Sequence, residues 1–252
     1  RWRRPHQYSR RRWLASAAAL GAVAALAAWQ FSPHGYHPGS YSTGIGERRS
    51  VELDDQSTIT LDAATRVKVR YSDDARIIEL KEGQARFSVA QDPTRPFKVR
   101  AGDQTIVALG TVFTVQRIEK EVQVTLLEGR VAVVPEQPAA MVELSAGEAL
   151  RIDADGRSHV NPDADLEAAT AWEDGKIIFR SEPLGDAVRR LNRYSRVAIE
   201  IDDPALAMEP ISGVFEAGSA ERFVSALQRS LPVEADPAGR TLRLRLRQGD
   251  GR

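Results

Sequence analysis

Residues 109–115 read Leu-Gly-Thr-Val-Phe-Thr-Val, and the rest of the chain is read outward from them. A glycine, able to hold backbone angles closed to other residues, precedes Thr111, Phe113 and Val115 at every second position. Period two is the mark of a strand with one buried face; a helix would scatter these side chains. The alternation recurs upstream in Val51/Leu53, Ile59/Leu61, Val67/Val69/Tyr71, Ile78/Leu80, Ala85/Phe87/Val89 and Phe97/Val99. Downstream it continues in Val122/Val124/Leu126 and Val131/Val133. Turn chemistry separates the runs at Asp54–Ser57, Ser72–Asp74, Glu82-Gly83, Asp92-Pro93, Ala101–Asp103 and Glu128-Gly129. Residues 44–152 therefore predict a β-rich domain, either an antiparallel β sandwich or a flattened solenoid.

Residues 153–171 read as a linker with a short helix near Asp165–Ala171. From Trp172 to Arg247 the period changes. Ile177–Phe179, Val197–Ile201, Ile211–Phe215, Val233–Ala235 and Thr241–Arg247 read as strands. Pro183–Tyr194, with Ser181 as its cap, carries Leu184, Ala187, Val188 and Leu191 at helical spacing. A second helix, capped by Ser219, presents Phe223, Val224, Leu227 and Leu231. The order β-α-β then β-α-β-β predicts a small α+β domain of two similar halves at 172–247.

Before the β domain, Leu14–Phe31 runs eighteen residues without a charge, nine of them Ala. At ~1.5 Å per residue it is roughly 27 Å long, near the ~30 Å hydrocarbon core of a bilayer. Trp13, Trp29 and Phe31 stand at its ends, where aromatic rings favour the headgroup layer. Residues 1–13 hold Arg1, Arg3, Arg4, Arg10, Arg11 and Arg12 and no acid, so they read as a basic cytoplasmic flank. The first charges beyond are Glu47, Arg48 and Arg49, after a Pro/Gly/Ser linker at 32–43. The positive-inside rule then puts Arg1 in the cytoplasm and everything after Phe31 outside, as a single-pass membrane protein. A cleaved signal peptide, a buried core helix and, for the Arg cluster, a nucleic-acid arm are the alternatives. Ser9–Leu14 also resembles a twin-arginine export signal.

The formal charge is zero, but removing the six N-terminal arginines leaves 29 basic against 35 acidic residues. The remainder is thus acidic, which argues against a nucleic-acid partner. With no Cys there is no disulfide, thiol nucleophile or Cys-ligated metal. His6, His34, His37 and His159 form no ligand spacing, and no H-E-x-x-H, G-x-S-x-G or phosphate-cradling glycine loop is present. Multiple-turnover catalysis, a cofactor and a metal are therefore not expected. A protein that binds or processes a cell-wall polymer, or an envelope secretion and assembly factor, are the rival readings.

One ordered set of motifs carries a family resemblance. Gly46-Glu47-Arg48-Arg49, Leu53–Ser57, Gly83–Phe87, Pro96–Val99, Leu109–Phe113 and Glu128–Val131 resemble the FecR family. These are periplasmic regulators of extracytoplasmic-function sigma factors. Trp172, Gly175, Phe179, Pro183-Leu184 and Asn192-Arg193-Tyr194 resemble its second domain, akin to the short N-terminal module of secretins and TonB-dependent receptors. In the family a cytoplasmic sigma-binding domain precedes the membrane helix. This chain begins at Arg1 rather than Met, so that domain is expected upstream. The resemblance implies a relay: the periplasmic signalling domain of a TonB-dependent outer-membrane receptor for a siderophore docks on the regulator. Envelope proteases then release the sigma factor. It also implies self-cleavage at the bond matching Gly110-Thr111.

That bond has a physical reading of its own. Gly110 can hold a strained peptide, and Thr111 Oγ1 can reach the Gly110 carbonyl through a five-membered ring. The alternative is a bulge at Gly110 followed by an ordinary strand. A second candidate is Arg243, Arg245 and Arg247, which alternate with Leu242, Leu244 and Leu246. The Leu row is expected to pack on the helices and the Arg row to face water. The Arg row then either protects an edge strand or selects a docking partner by strand addition.

Overall fold

The computed structural model describes residues 39–136 and 140–247. The expected membrane segment Leu14–Phe31 and Arg10, Arg11 and Arg12 lie outside them. Among the described residues no helix is long and apolar enough to cross a membrane.

Thirteen strands follow in order: β1 (Gly39–Ser42), β2 (Arg49–Glu52), β3 (Thr58–Leu61), β4 (Arg66–Tyr71), β5 (Arg76–Ser88), β6 (Phe97–Ala101), β7 (Gln104–Ala108), β8 (Val112–Ile118), β9 (Glu121–Glu128), β10 (Arg130–Pro135), β11 (Val142–Ser145), β12 (Ala149–Ile152) and β13 (Ser158–Asn161). They belong to one sheet that curls over itself at β5. The first half of β5 pairs with β4 and β6, in a layer that runs β1-β4-β5-β6-β7-β10-β11. Its second half pairs with β3 and β8, in a layer that runs β2-β3-β5-β8-β9-β12-β13.

Glu82-Gly83, expected as a turn, is instead where β5 bends. The register against β4 slips there, with Arg66 opposite Glu82 but Val67 opposite Leu80. Gly83 holds φ +96°, and a Cβ on it would lie 2.5 Å from Thr65 Cα, so only glycine fits the corner. The expected antiparallel sandwich or solenoid is corrected in a second respect: β5 and β6 run parallel, because the chain crosses between layers before returning. Between the layers Phe87 stacks on Phe113 at 5.2 Å and meets Phe97 edge-on at 6.1 Å. Ile59, Leu61, Ile78, Leu80, Ile106 and Leu126 complete the most buried layer of the core.

The linkers are shorter than expected. Residues 39–42, assigned to the linker, form β1 and pair with β4. Residues 158–161, also assigned to a linker, form β13 and pair with β12.

The second domain comprises α1 (Leu166–Thr170), a 3-10 turn (Ala171–Asp174), β14 (Lys176–Pro183), α2 (Leu184–Asn192), β15 (Ala198–Ile201), α3 (Pro204–Ala207), β16 (Pro210–Glu216), α4 (Ala220–Ser230), β17 (Val233–Ala238) and β18 (Thr241–Leu246). β14 pairs with β16. β15, β18 and β17 form a second sheet in that order. Leu184, Val188 and Leu191 of α2 and Phe223 and Leu227 of α4 share one core with Leu244. Ser181 is not the cap of α2. It sits at φ +53° in a bulge of β14, its N–H donates to Ser212 Oγ at 2.9 Å, and Pro183 occupies the cap position. Ser219 does hold the cap position of α4, without a side-chain capping hydrogen bond. α3 was not expected.

The two domains are joined by specific contacts. Ala63, from the β domain, belongs to the core of the second domain. The Tyr194 hydroxyl and Arg193 reach fully buried Asp62, at 2.5 and 3.3 Å from Oδ2. Arg48 donates to Trp172 O at 2.6 Å, and Arg86 pairs with Glu173 at 2.7 Å. Residues from Pro38 onward form one compact unit. Its buried core side chains all lie between Leu53 and Leu244, so the unit folds on side chains of its own.

Candidate functional site

β7 belongs to one layer and β8 to the other, and Leu109–Thr111 is the chain that crosses between them. Leu109 is 55% exposed at the crossing, whereas Thr111 is 5% exposed. Gly110 holds φ +135°, a conformation that favours glycine. The return crossing, Gly129 between β9 and β10, lies against it. Gly129 holds φ +86°, and a Cβ there would be 2.7 Å from Thr111 Cγ2 and 3.2 Å from the Gly110 carbonyl oxygen. The ladder of β8 and β9 slips at this point, Val112 facing Glu128 and Phe113 facing Leu126. The Thr111 carbonyl accepts the Val89 N–H at 2.9 Å. Its hydroxyl is buried and has no hydrogen-bond partner. Buried hydroxyls are ordinarily paired, so an orphan one beside a left-handed glycine is an unusual pairing of features.

A third loop closes the site, the one joining β5 to β6. A Cβ on Gly110 would lie 2.5 Å from Gln91 Cγ of that loop. Arg76, fully buried, ties the loop down: its Nε donates to Arg95 O at 2.9 Å and Nη1 to Ala90 O at 3.0 Å. Nη1 also pairs with Asp55 Oδ2 at 2.6 Å, and the guanidinium lies 5.4 Å from the centre of the Phe97 ring. Asp55 further accepts from Ser57 Oγ at 2.6 Å and from the Tyr71 hydroxyl at 2.9 Å. Burial pushes the Asp55 carboxyl up, but Ser57, Arg76 and Tyr71 together outweigh it and hold it below its ordinary value. Asp55 was legible only as a turn residue, and Arg76 was missed. Its signal was parity: Arg76 shares the inward phase of Ile78 and Leu80.

The second candidate lies elsewhere. Arg243, Arg245 and Arg247 are exposed, as expected. However, β18 is the central strand of its sheet, so it is neither an edge nor open to strand addition. The arginines stand beside acids of both neighbours: Arg243 is 3.4 Å from Glu200, Arg245 is 2.9 Å from Asp236 and Arg247 is 3.7 Å from Glu234. The Leu row divides. Leu244 is fully buried, Leu242 half-buried, and Leu246 40% exposed.

A cleft of about 480 Å³ opens between the two domains, lined by Gln84, Gln116, Glu121, Arg151, Glu182 and Arg189 among others. Its charges answer one another: Arg151 is 3.3 Å from Glu121, Arg190 is 2.6 Å from Glu182, and Arg189 is 2.8 Å from Asp186. Burial raises the Glu182 carboxyl although Arg190 pulls it down. His159 lies on β13, exposed, 3.3 Å from Asp153. Among the described residues no three of His, Asp and Glu are placed to hold a metal ion.

Comparison with known proteins agrees with this architecture. Two crystal structures of a candidate anti-sigma factor from Parabacteroides distasonis superpose with TM-scores of 0.74 and 0.75 at 24% identity. They cover 82% and 83% of this chain and 99% of their own. Comparison with curated proteins found no match. The model of the family described as FecR protein matches residues 39–132, which run from β1 into β10 and include the Gly110-Thr111 crossing. These residues thus carry a domain similar to that family's.

Proposed function

We propose that this chain is the membrane-anchored, exported part of a regulator of an extracytoplasmic-function sigma factor. The observation that carries the reading is the FecR match over 39–132, on a two-domain fold shared with a candidate anti-sigma factor. The Arg-flanked apolar run Leu14–Phe31 supplies the inner-membrane anchor, and the described residues face the periplasm. The signalling domain of a TonB-dependent receptor docks on the second domain, whose alternating Arg and acidic face selects it by charge register. Iron–siderophore uptake is the process served, and envelope proteases complete the release of the sigma factor.

Gly110-Thr111 is a single-turnover cleavage site within this scheme. Thr111 Oγ1 attacks the Gly110 carbonyl carbon, the C–N bond breaks, and the hydroxyl proton ends on the Thr111 nitrogen. Water then hydrolyses the ester to a Gly110 carboxylate and a free Thr111. The unpaired hydroxyl and the left-handed Gly110 support this chemistry.

A periplasm-active reporter fused after Ser40 tests the topology, and an active cytoplasmic reporter there would overturn it. For docking, calorimetry should show Arg243→Ser/Arg245→Ser/Arg247→Ser binding the receptor domain markedly more weakly. Unchanged affinity moves the docking site off this face.

A further inference from the structure

The outer face of the layer that begins with β1 is basic, on an exported chain that is otherwise acidic. Register fixes which side chains share it. One row across the strands reads Ser40, Lys68, Glu79, Arg100 and Thr105. The next reads Arg70, Ile77, Lys98, Val107, Ala132 and, at the far edge, Glu143. Arg66 and Lys81 stand beside these rows, paired with Glu82 and Glu79. Lys68, Arg70 and Arg100 are exposed and Lys98 half-buried. Among the described residues these four make no ion pair, whereas each arginine of the β18 row has an acid beside it. Glu79, in their midst, is held below the usual carboxylate range, first by Lys81 and then by the fields of Arg70 and Lys68. Asp73, Asp74 and Asp103 sit outside the rows, in the turns at the strand ends.

Position matters as much as charge. The chain enters the fold through β1, an edge strand of this same layer, so Ser40 and Ser42 share the basic face. Only seven residues, 32–38, separate Phe31 from Gly39. Fully extended, they reach at most about 25 Å. A tether of that length keeps this face within reach of a bilayer anchored at Leu14–Phe31.

We infer that this face of the β domain lies against anionic phospholipid headgroups, with Lys68, Arg70, Lys98 and Arg100 as the contacting cations. The inference rests on the anchored topology proposed above only for its biological setting; the face itself binds without the anchor. A Lys or Arg near an anionic bilayer strengthens partitioning by about fivefold, and the effect fades within a Debye length of ~10 Å. Four together give an effect on the order of several hundredfold.

The test uses residues 38–252, which carry both cores, in co-sedimentation with two kinds of vesicle. Vesicles of phosphatidylglycerol and phosphatidylcholine in equal parts should bind the protein, and pure phosphatidylcholine should not. Lys68→Gln/Arg70→Gln/Lys98→Gln/Arg100→Gln should lose on the order of several hundredfold in partitioning with an unchanged thermal midpoint. Arg243→Ser/Arg245→Ser/Arg247→Ser, which removes as many exposed cations from another face, should still bind. Equal binding to both vesicle types, or undiminished binding by the fourfold variant, overturns the inference. So does retention on a soluble polyanion without binding to the anionic vesicles. A cytoplasmic result in the Ser40 reporter fusion would remove the setting while leaving vesicle binding intact, so the two failures are distinct.

Discussion

The Tyr194 hydroxyl donates to Asp62 Oδ2 at 2.5 Å across 132 positions of sequence, joining the turn after α2 to the corner after β3. Asp62 is fully buried and Tyr194 nearly so, and Arg193 approaches the same oxygen at 3.3 Å. The second domain is therefore held by a buried, partly ionic contact, with Ala63 packed beneath it. Tyr194→Phe keeps the ring and removes the donor. It should lower stability by about 1.5–3 kcal/mol, the range for a hydrogen bond to a charged group. Urea unfolding checks it. Protease sensitivity should rise first between residues 153 and 183, since the inter-domain contact loosens while the Phe87 core is untouched.

The same carboxyl makes stability depend on pH in an unusual direction. Burial raises Asp62 above its ordinary value, against the pull of Arg193 and Tyr194. A raised carboxyl binds its proton more readily when folded, so its contribution grows as pH falls through the folded value toward the unfolded one near ~3.9. Asp55 behaves oppositely. Its folded value is depressed, so its stabilisation is full above ~3.9 and is lost as pH falls through the folded value. Wild-type stability should thus rise on mild acidification and then drop steeply as pH falls below ~3.9. Asp62→Asn should remove the rise and leave the steep drop. Identical pH profiles for the two proteins would contradict this assignment.

Thr111 offers a sharp chemical test. Wild-type protein should give two fragments on denaturing gels, with masses corresponding to scission between Gly110 and Thr111. Thr111→Ala should remain whole, because the nucleophilic oxygen is gone, and Thr111→Ser should still cut. Gly110→Ala should cut little if at all, since φ +135° is strained for any residue with a Cβ. An intact wild-type mass leaves a strand crossing and no reaction.

Arg76 and Asp55 should act as a unit. Arg76→Met removes the cation from a carboxylate whose side chain is 3% exposed, which costs about 3–5 kcal/mol. Arg76→Met/Asp55→Leu should cost clearly less than the two single changes added together, because neither charge is then stranded. The single Arg76 variant should also slow any scission at Gly110-Thr111, since Ala90 and Arg95 of the abutting loop lose their anchor.

Local regularities of this fold were legible; non-local ones were not. Runs such as Phe113/Val115 and Val122/Val124/Leu126 announce strands because one buried face imposes period two, and nearly all of those strands are present. β5 was read as two strands because Gly83 looks like turn chemistry, when in fact it accommodates the backbone of Thr65. Which strand is central in a sheet depends on partners far away in sequence. Periodicity therefore could not place β18 between β15 and β17, nor foresee acids beside its arginines. At the site, Gly110 and Thr111 stood out through the family resemblance. Gly129, Gln91 and Arg76 did not, because they arrive from separate crossings of the sheet and meet only in space.

The bend in β5 has a consequence for a molecule cut at Gly110. Residues 39–110 would keep β1 to β7, and residues 111–247 would keep everything after. Neither piece could complete its own layers. β5 of the first holds β8 of the second along Gly83–Ser88, and β7 of the first holds β10 of the second along Gln104–Ala108. Scission would turn one polypeptide into a heterodimer without moving an atom of its core. Its persistence would then follow mass action: durable while the pieces are confined together, and sensitive to dilution once one is drawn away.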